Sequence, residues 1–261
     1  MTSIRSPRHR RALARFALLG CASITPLAAH AQAQRSDYLL GRPKATLTLR
    51  AGVGRPNASD GVFAVTDSVG RKLLTLSPDQ FVGANFGADL GVPFTQKLEL
   101  QLSLSSSSRQ AESEYRDYVD NRDLPIDQAT RLQRVPISLG LRYNFVPAGR
   151  SISRLAWVPS RLVPYAAVGA GAMYYRFRQN GDFVDFRSRS LDVFTATLEA
   201  KGWALLGYAA GGLTWSVLPA VALNTEVRYD HSSTPMRGDF TGFGRTSLSG
   251  VAINTGLQFR F

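Results

Sequence analysis

The chain has 261 residues, with 31 lysines and arginines against 19 aspartates and glutamates, one cysteine and 44% hydrophobic residues. One cysteine excludes a disulfide scaffold or a cysteine-based zinc finger, and the hydrophobic content excludes a disordered chain. Five arginines precede the first apolar run, which leaves 26 basic against 19 acidic residues, a net charge of +7 instead of +12, scattered over the remaining chain. Nucleic acid is therefore not the expected partner.

Residues 1–31 have the parts of a secretory signal peptide. A basic stretch is followed by the uncharged apolar run Phe16–Ala29 and by two Ala-x-Ala sites, which place cleavage after Ala31 or Ala33. The apolar run is too short to cross a bilayer as a helix. Two other export signals remain as alternatives, since Cys21 ends a sequence that resembles a lipobox and Arg10-Arg11 resembles a twin-arginine signal. Residues 32–43 are expected to form a short periplasmic lead.

After residue 34, apolar and polar residues alternate over about ten residues at a time, which is typical of the strands of a transmembrane β-barrel. Leu98, Leu100 and Leu102, for example, oppose Glu99 and Gln101. The faces of the Gly/Ala-rich segment 163–178 are ambiguous. The predicted strands are the eight segments 45–54, 81–92, 97–107, 134–146, 163–178, 202–217, 220–230 and 249–261.

The polar side of these strands carries charges of both signs beside many glycines and serines. In a soluble β-sandwich, which is the alternative fold, that side would be the solvated surface. In a small barrel it would face a narrow interior, where opposite charges pair and small residues make room. The expected interior charge network consists of Arg50, Asp89, Glu99, Arg142, Glu226, Arg228 and Arg260.

The connections alternate between short turns and long polar stretches, as in outer-membrane barrels with short periplasmic turns and long external loops. The long ones are 55–80, 106–130, 179–201 and 231–247. The connection 147–162 departs from this rule, because it should be a periplasmic turn and is long. It contains Trp157, and a short helix or a lip beneath the barrel is expected. An extra hairpin there, or at 62–76, would raise the number of strands from eight to ten.

The C-terminal residues follow the pattern polar-x-Gly-x-x-aromatic-x-aromatic, set by Asn254, Gly256, Phe259 and Phe261. This pattern resembles the β-signal that the barrel-assembly machinery recognises. Over residues 44–261 the chain therefore resembles the eight-stranded outer-membrane β-barrels of Gram-negative bacteria, of the OmpA, OmpX and OmpW types.

The resemblance implies an all-β, antiparallel, up-and-down transmembrane barrel. It also implies a monomer in the bacterial outer membrane, in contact with outer-membrane lipid and lipopolysaccharide. Aromatic residues near the strand ends would form girdles at both membrane interfaces. They are Phe94, Tyr143, Phe145, Trp203, Trp215, Tyr229, Phe259 and Phe261.

Few residues offer catalytic chemistry. His231 is the only histidine after residue 30, so neither a metal site built on a histidine pair nor a cofactor is expected. The sequence His231-Ser232-Ser233 resembles the His-x-Ser pair of outer-membrane lipid A deacylases. That resemblance would make Ser233 the nucleophile and His231 its base. The family's orienting Glu is missing, because no Glu follows Glu226, and Asp239 would have to replace it at a different spacing.

The leading prediction is a structural or surface-interaction protein with long external loops and a plugged polar interior. An eight-stranded barrel is only wide enough inside for side chains. A narrow channel for small solutes, including a lateral path for apolar ones, is the second prediction, and a lipid hydrolase is the third. The acidic residues of loop 106–130 are predicted to be solvated charges and not a calcium site.

Overall fold

The computed structural model describes residues 38–57, 75, 78–119, 124–184, 193–242 and 244–261, without the side chains of 115–118. The expected signal peptide, Cys21 and nearly all of segment 62–76 lie outside these residues. Within them no helix is long and apolar enough to span a membrane. The strands are β1 (Leu39–Leu40), β2 (Thr46–Pro56), β3 (Gly83–Pro93), β4 (Leu98–Val119), β5 (Pro125–Asn144), β6 (Gly149–Ser151), β7 (Ala156–Pro159), β8 (Leu162–Val184), β9 (Val193–Ser216), β10 (Val221–His231), β11 (Ser233–Pro235), β12 (Arg245–Ser247) and β13 (Gly250–Arg260).

Eight of these strands close into an antiparallel barrel in the order β10-β13-β2-β3-β4-β5-β8-β9. The seam pairs β13 with β2 from Gly250 opposite Pro56 to Arg260 opposite Thr46. The sequence prediction of eight barrel strands is confirmed, and the soluble sandwich and the ten-stranded barrel are wrong. We call the end with the short β3–β4 and β9–β10 turns the turn end, and the opposite end the loop end.

Alternating side chains face opposite sides of the wall, because successive Cβ atoms of a strand point to opposite faces. On β2, Leu49 and Val53 are exposed on the outside, while Thr48 and Arg50 are buried inside. The outward residues form an apolar belt around the barrel. On β9 two exposed tryptophans, Trp203 and Trp215, mark its edges. With strands tilted by about 40°, they lie about 30 Å apart along the barrel axis, which matches a bilayer core.

Four strands continue well beyond the apolar belt at the loop end. β4 has 22 residues and β9 has 24, whereas β2, β3, β10 and β13 have 11 each. The predicted loops 106–130 and 179–201 are therefore wrong, since most of each is strand. Beyond the belt both faces of the wall meet polar surroundings. Outward residues such as Ser108 and Glu112 are polar there, and hydropathy no longer alternates.

A small sheet covers the turn end. β1 pairs with β7, with Leu39 opposite Trp157, and β7 pairs with β6. The connection 147–162 is thus a hairpin outside the barrel, and neither a helix nor a ninth and tenth barrel strand. The expected lead 32–43 supplies one strand of this sheet. Trp157 is 5% exposed.

The loop end is filled by the segment between β10 and β13, which we call the loop-end plug (232–249, without residue 243). β11 pairs with β12, and a 3-10 helix, Gly238–Phe240, lies between them. Met236, Phe240 and Leu248 are buried in a cluster with Tyr175 and Phe177 of β8. The Nη1 of Arg134, inside β5, donates to the carbonyl oxygen of Leu248 at 2.9 Å. The expected polar loop 231–247 is therefore folded into the mouth of the barrel, because its apolar side chains complete a core.

Candidate functional site: the barrel interior

The interior is lined by ionic side chains that come from most strands of the barrel. The seven residues expected to form the charge network lie inside, each between 3% and 7% exposed. Buried charges are costly unless they are paired or hydrogen-bonded, so their partners determine how the lumen is filled. These residues are Arg50, Asp89, Glu99, Arg142, Glu226, Arg228 and Arg260.

Arg50 is the centre of this network. Its Nε lies 3.0 Å from Asp89 Oδ2, and its Nη1 lies 3.1 Å from Glu226 Oε1. Asp89 comes from the adjacent strand β3, and Glu226 comes from β10 on the other side of the seam. The guanidinium fits because Gly87 has no side chain, and a Cβ at that position would lie 3.0 Å from Arg50 Nε. One arginine thus joins three strands across the lumen.

Arg142 and Tyr165 fill the lumen nearer the turn end. The guanidinium of Arg142 lies 3.6 Å from the centre of the Tyr165 ring, and its Nη2 donates to Thr214 Oγ1 at 2.6 Å. The Tyr165 hydroxyl lies 3.1 Å from both Asn224 Oδ1 and Glu226 Oε2. Cation–π stacking in a desolvated site is worth about 2 kcal/mol. The stack replaces the acidic partner that Arg142 lacks among the described residues.

Arg228 and Tyr208 form the equivalent pair nearer the loop end. The guanidinium of Arg228 lies 3.7 Å from the Tyr208 ring centre. Its Nε donates to Asp230 Oδ1 at 2.8 Å and its Nη2 to Ser138 Oγ at 2.9 Å. A Cβ at Gly140 would collide with the Tyr208 hydroxyl. The interior glycines of the wall therefore make room for aromatic rings.

Arg260 and Glu99 lie at the turn end of the interior. Arg260 donates to Ser216 Oγ at 2.9 Å, and its guanidinium lies 5.8 Å from the ring of Trp157 in the covering sheet. Glu99 accepts a hydrogen bond from Thr46 Oγ1 at 2.6 Å. A cavity of about 40 Å³ remains between these residues and the covering sheet. It has room for a few water molecules.

Several interior residues were not predicted from the sequence, among them Arg134, Tyr165, Tyr208 and Asp230. Tyr165 was not assigned to a face because segment 163–178 is Gly/Ala-rich. Tyr208 was not assigned because only Trp203 and Trp215 were given a direction among the aromatic residues of β9. Asp230 was placed on the polar side of its strand but not in the network. The i to i+2 spacing of Arg228 and Asp230 on one face of β10 is the signal that could have found it.

The residues of the deacylase resemblance make separate contacts. His231 is exposed at the end of β10, and its Nδ1 lies 3.5 Å from Ser249 Oγ. Ser233 accepts a hydrogen bond from Arg245 Nε at 3.3 Å, and Asp239 Oδ2 accepts the backbone N–H of Glu199 at 2.8 Å. Within the described residues, no hydrogen bond joins His231 to Ser233 or to Asp239. Likewise, the described part of the chain contains no group of His, Cys, Asp and Glu side chains that could hold a metal ion.

Three of the four residues of the C-terminal pattern lie on β13, at the seam, and Phe261 directly follows this strand. Asn254 is 2% exposed and accepts a hydrogen bond from Asn85 Nδ2 at 2.8 Å inside the barrel. Gly256 packs against the backbone of β2. Phe261 is exposed at the turn end, and its N–H donates to Ala45 O at 3.0 Å. Recognition of these residues by the barrel-assembly machinery stays a prediction.

Solved bacterial outer-membrane proteins have similar folds. Neisserial surface protein A is 12% identical, with 84% of this chain and 97% of that chain covered and a TM-score of 0.44. OprG from Pseudomonas aeruginosa is 15% identical, with 85% and 99% covered and a TM-score of 0.46. AlkL, solved by solid-state NMR in lipid bilayers, is 13% identical, with 85% and 92% covered and a TM-score of 0.40. No protein-family description and no curated protein sequence matches the chain.

Proposed function

We propose that this eight-stranded barrel spans the bacterial outer membrane as a closed structural protein and presents its long loop-end wall to the cell exterior. The apolar belt, about 30 Å high between its two tryptophan edges, supports a position within a bilayer. An exposed apolar surface of this size has no counterpart on a monomeric soluble protein.

The observation that carries the proposal is a lumen blocked at three levels. The sheet with Trp157 covers the turn end, the network around Arg50 crosses the middle, and the plug with Phe240 fills the loop end. A conducting path needs an uninterrupted polar pathway through the lumen, or a gate that can open. Here each level would have to break buried contacts, so the barrel is better suited to presentation than to diffusion.

The projecting wall supports a role at the cell surface. From Tyr174 at the edge of the belt to Val184 at the end of its described part, β8 rises about 25 Å. The paired strands β4, β5, β8 and β9 make this projection a hydrogen-bonded sheet instead of separate loops. Such a rigid scaffold is a common way to carry interacting surface residues.

Planar-bilayer recording tests the closed lumen. The purified protein, refolded from detergent, is expected to give no resolved conductance steps, whereas a 16-stranded porin in the same apparatus gives large ones. A variant in which residues 232–249 are replaced by a short Gly/Ser linker should give at most brief, unresolved conductance events, because the central network remains. Steady steps from the unchanged protein would contradict the proposal.

A lateral path for apolar solutes is the second candidate function. A groove of about 620 Å³ lies on the outer wall at the loop end, lined by Val53, Tyr229 and Ile253 among others. Gly54 lines both this groove and a small interior cavity beside Arg228. Uptake of an apolar solute by proteoliposomes should fall when Gly54 is replaced by Leu, if this path is used. The deacylase alternative has no such support in the contacts of His231, Ser233 and Asp239.

A further inference from the structure

Four basic side chains lie together on the outward face of the wall, and we call them the basic cluster (Arg131, Arg176, Arg178 and Lys201). Arg131 of β5 lies opposite Arg178 of β8, and Arg176 lies opposite Lys201 of β9. All four point away from the lumen, because they share the parity of the exposed residues on their strands. Their surroundings are therefore membrane or solvent, and not the interior network.

The cluster begins one residue pair beyond the aromatic edge of the apolar belt. Tyr174 lies opposite Trp203, and their ring centres are 5.5 Å apart. Arg176 and Lys201 follow two residues farther along the same faces, about 5 Å higher along the barrel axis. The ring pair thus lies at the lipid boundary and the basic cluster at the height of the polar head groups.

The cluster is only partly neutralised. Arg176 Nη2 and Arg178 Nη2 lie 2.7 and 2.8 Å from the same oxygen of Glu199, and Lys201 Nζ lies 3.3 Å from its other oxygen. The side chains of Arg176, Arg178 and Lys201 are still 39%, 45% and 63% exposed. Asp239, which accepts the backbone N–H of Glu199, is a second nearby acid. Glu112, on the outward face of β4, lies diagonally across from Arg131, because it pairs with Ala129. Four cations thus face three acids.

This arrangement is costly without an anion. Like charges directly opposite each other on neighbouring strands, as in Arg131 and Arg178, destabilise a sheet. Glu199 holds the guanidinium groups of Arg176 and Arg178 on one surface, and Ser108 accepts a hydrogen bond from Arg131 Nε at 3.2 Å. Donors that are fixed in this way lose little entropy when they bind a further anion. The cluster is therefore preorganised.

We infer that the basic cluster binds the phosphate groups of a phosphorylated lipid in the outer leaflet, with its acyl chains along Tyr174 and Trp203. Guanidinium groups bind phosphate oxygens in a bidentate manner, and lysine adds a point charge. The aromatic pair directly below the cluster favours a lipid over free phosphate as the source of this anion. The inference rests on the proposed position in the membrane and adds to it a ligand and a site.

Native mass spectrometry of the refolded protein in neutral detergent tests this site. The probes are bis-phosphorylated lipid A, the same lipid after removal of both phosphates, and inorganic phosphate as a competitor. The first variant is Arg176→Gln/Arg178→Gln/Lys201→Gln. The second is Arg131→Gln/Lys201→Gln, which leaves the Arg176–Glu199–Arg178 contacts intact. The matched control is Lys44→Gln/Arg150→Gln/Arg154→Gln, which removes three exposed charges at the turn end.

Each basic residue removed from the cluster should weaken binding of bis-phosphorylated lipid A about fivefold, since one such residue near a membrane surface is worth about 1 kcal/mol. The control variant and the unchanged protein should bind equally well. The assignment would be overturned if both cluster variants bound bis-phosphorylated lipid A as well as the unchanged protein does. It would also be overturned if the dephosphorylated lipid bound equally well, or if inorganic phosphate at the concentration of the lipid displaced it. A heat-dependent shift on SDS gels verifies folding of every variant, so that failure of the barrel itself is recognised separately.

Discussion

At the scale of single residues, the stability of the interior depends on buried charges that are each paired with particular partners. Arg50 serves two carboxylates, and its replacement would leave both Asp89 and Glu226 buried without a cation. Removing one partner of a buried ion pair typically costs 3–5 kcal/mol, whereas replacing the whole set by neutral groups is often close to neutral. The energetic role of Arg50 is therefore mainly to prevent that penalty.

The first prediction concerns this charge set. Arg50→Met should lower the free energy of unfolding by about 3–5 kcal/mol, because two buried carboxylates lose their cation. The triple variant Arg50→Met/Asp89→Asn/Glu226→Gln should recover most of the loss. The measurement is the urea midpoint of the refolded protein in detergent micelles. A single variant as stable as the unchanged protein would show that water or another cation already satisfies the carboxylates.

The second prediction concerns the space for Tyr208. Gly140→Ala should destabilise the barrel by about 1–3 kcal/mol, because the added methyl group meets both the tyrosine hydroxyl and the backbone of β8. Gly207→Ala is the matched control, since no atom lies within 4 Å of its Cβ position. Thermal loss of the fast-migrating gel band compares the two. Equal effects would mean that the ring moves aside freely.

The interior residues could be predicted from the sequence only where alternation was clear. Arg50 and Glu226 lie on strands whose large apolar residues share one parity, so their inward direction followed from that parity. Tyr165 lies in a stretch of glycines and alanines, where the hydropathy of the two faces barely differs. The contacts between strands that are not neighbours, such as Arg228 of β10 with Ser138 of β5, depend on the stagger of the barrel, which no local pattern contains.

At the scale of elements, the two ends are closed by different means. The turn end is covered by a separate sheet, whereas the loop end is filled by a segment with its own apolar core. Strand existence was predictable, but strand length was not. The alternation of apolar and polar residues ends before the strands β4, β5, β8 and β9 end. The part of the wall that lies in water has no apolar outer face, so it leaves no such pattern in the sequence. The hairpin β6–β7 was obscured by Pro147 before it and Pro159 at its end, and by its place in a connection where a short turn was expected.

The third prediction concerns this hairpin. Ser160 N–H donates to Ala148 O at 3.0 Å, so Gly149–Pro159 can be replaced by an Asn-Gly turn that joins these two ends. The shortened protein should still fold as a barrel, because every barrel strand keeps both neighbours. Its melting temperature should fall only by the loss of the Trp157 contacts, and Trp157→Ala should reproduce that decrease. If the shortened protein failed to fold while Trp157→Ala folded, the barrel would need the hairpin itself for its stability.

The fourth prediction concerns the loop-end plug. Phe240 is 2% exposed, and its ring meets that of Phe177 with centres 5.0 Å apart. Phe240→Ala should loosen the plug by about 3 kcal/mol and raise the rate of trypsin cleavage after Arg237 at least tenfold. Phe86→Ala is the matched control, since this ring lies on the outer wall and is 62% exposed. Equal cleavage of both variants would mean that the plug is held by its hydrogen bonds alone.

At the scale of the whole molecule, closure of the sheet is the dominant property. All eight barrel strands pair with two neighbours over the length that closes the barrel, so this closed part presents no free edge to detergent or lipid. Fold class and strand number followed from the count of alternating segments together with the C-terminal pattern. The sequence predicted a blocked lumen but not the elements that close its two ends, because the plug and the covering sheet were expected to be loops or a lip.

The fifth prediction follows from this closure. On SDS gels the protein from the outer-membrane fraction should migrate differently before and after boiling, because the closed barrel resists SDS until heat breaks many hydrogen bonds together. Variants used above can be compared by the temperature at which the shift is lost. Recovery in the soluble periplasm without any shift would contradict the membrane position.

The seam between β2 and β13 has a consequence for the order of assembly. These two strands are the first and the last of the barrel along the chain, and they form an uninterrupted ladder. The barrel therefore cannot close before β13 has been synthesised, and until then β2 must wait with an open edge for its partner. Loss of β13 would leave two such edges, on β2 and on β10, each free to pair with another chain. Strand β13 thus determines whether this sheet becomes one closed molecule or the start of an aggregate.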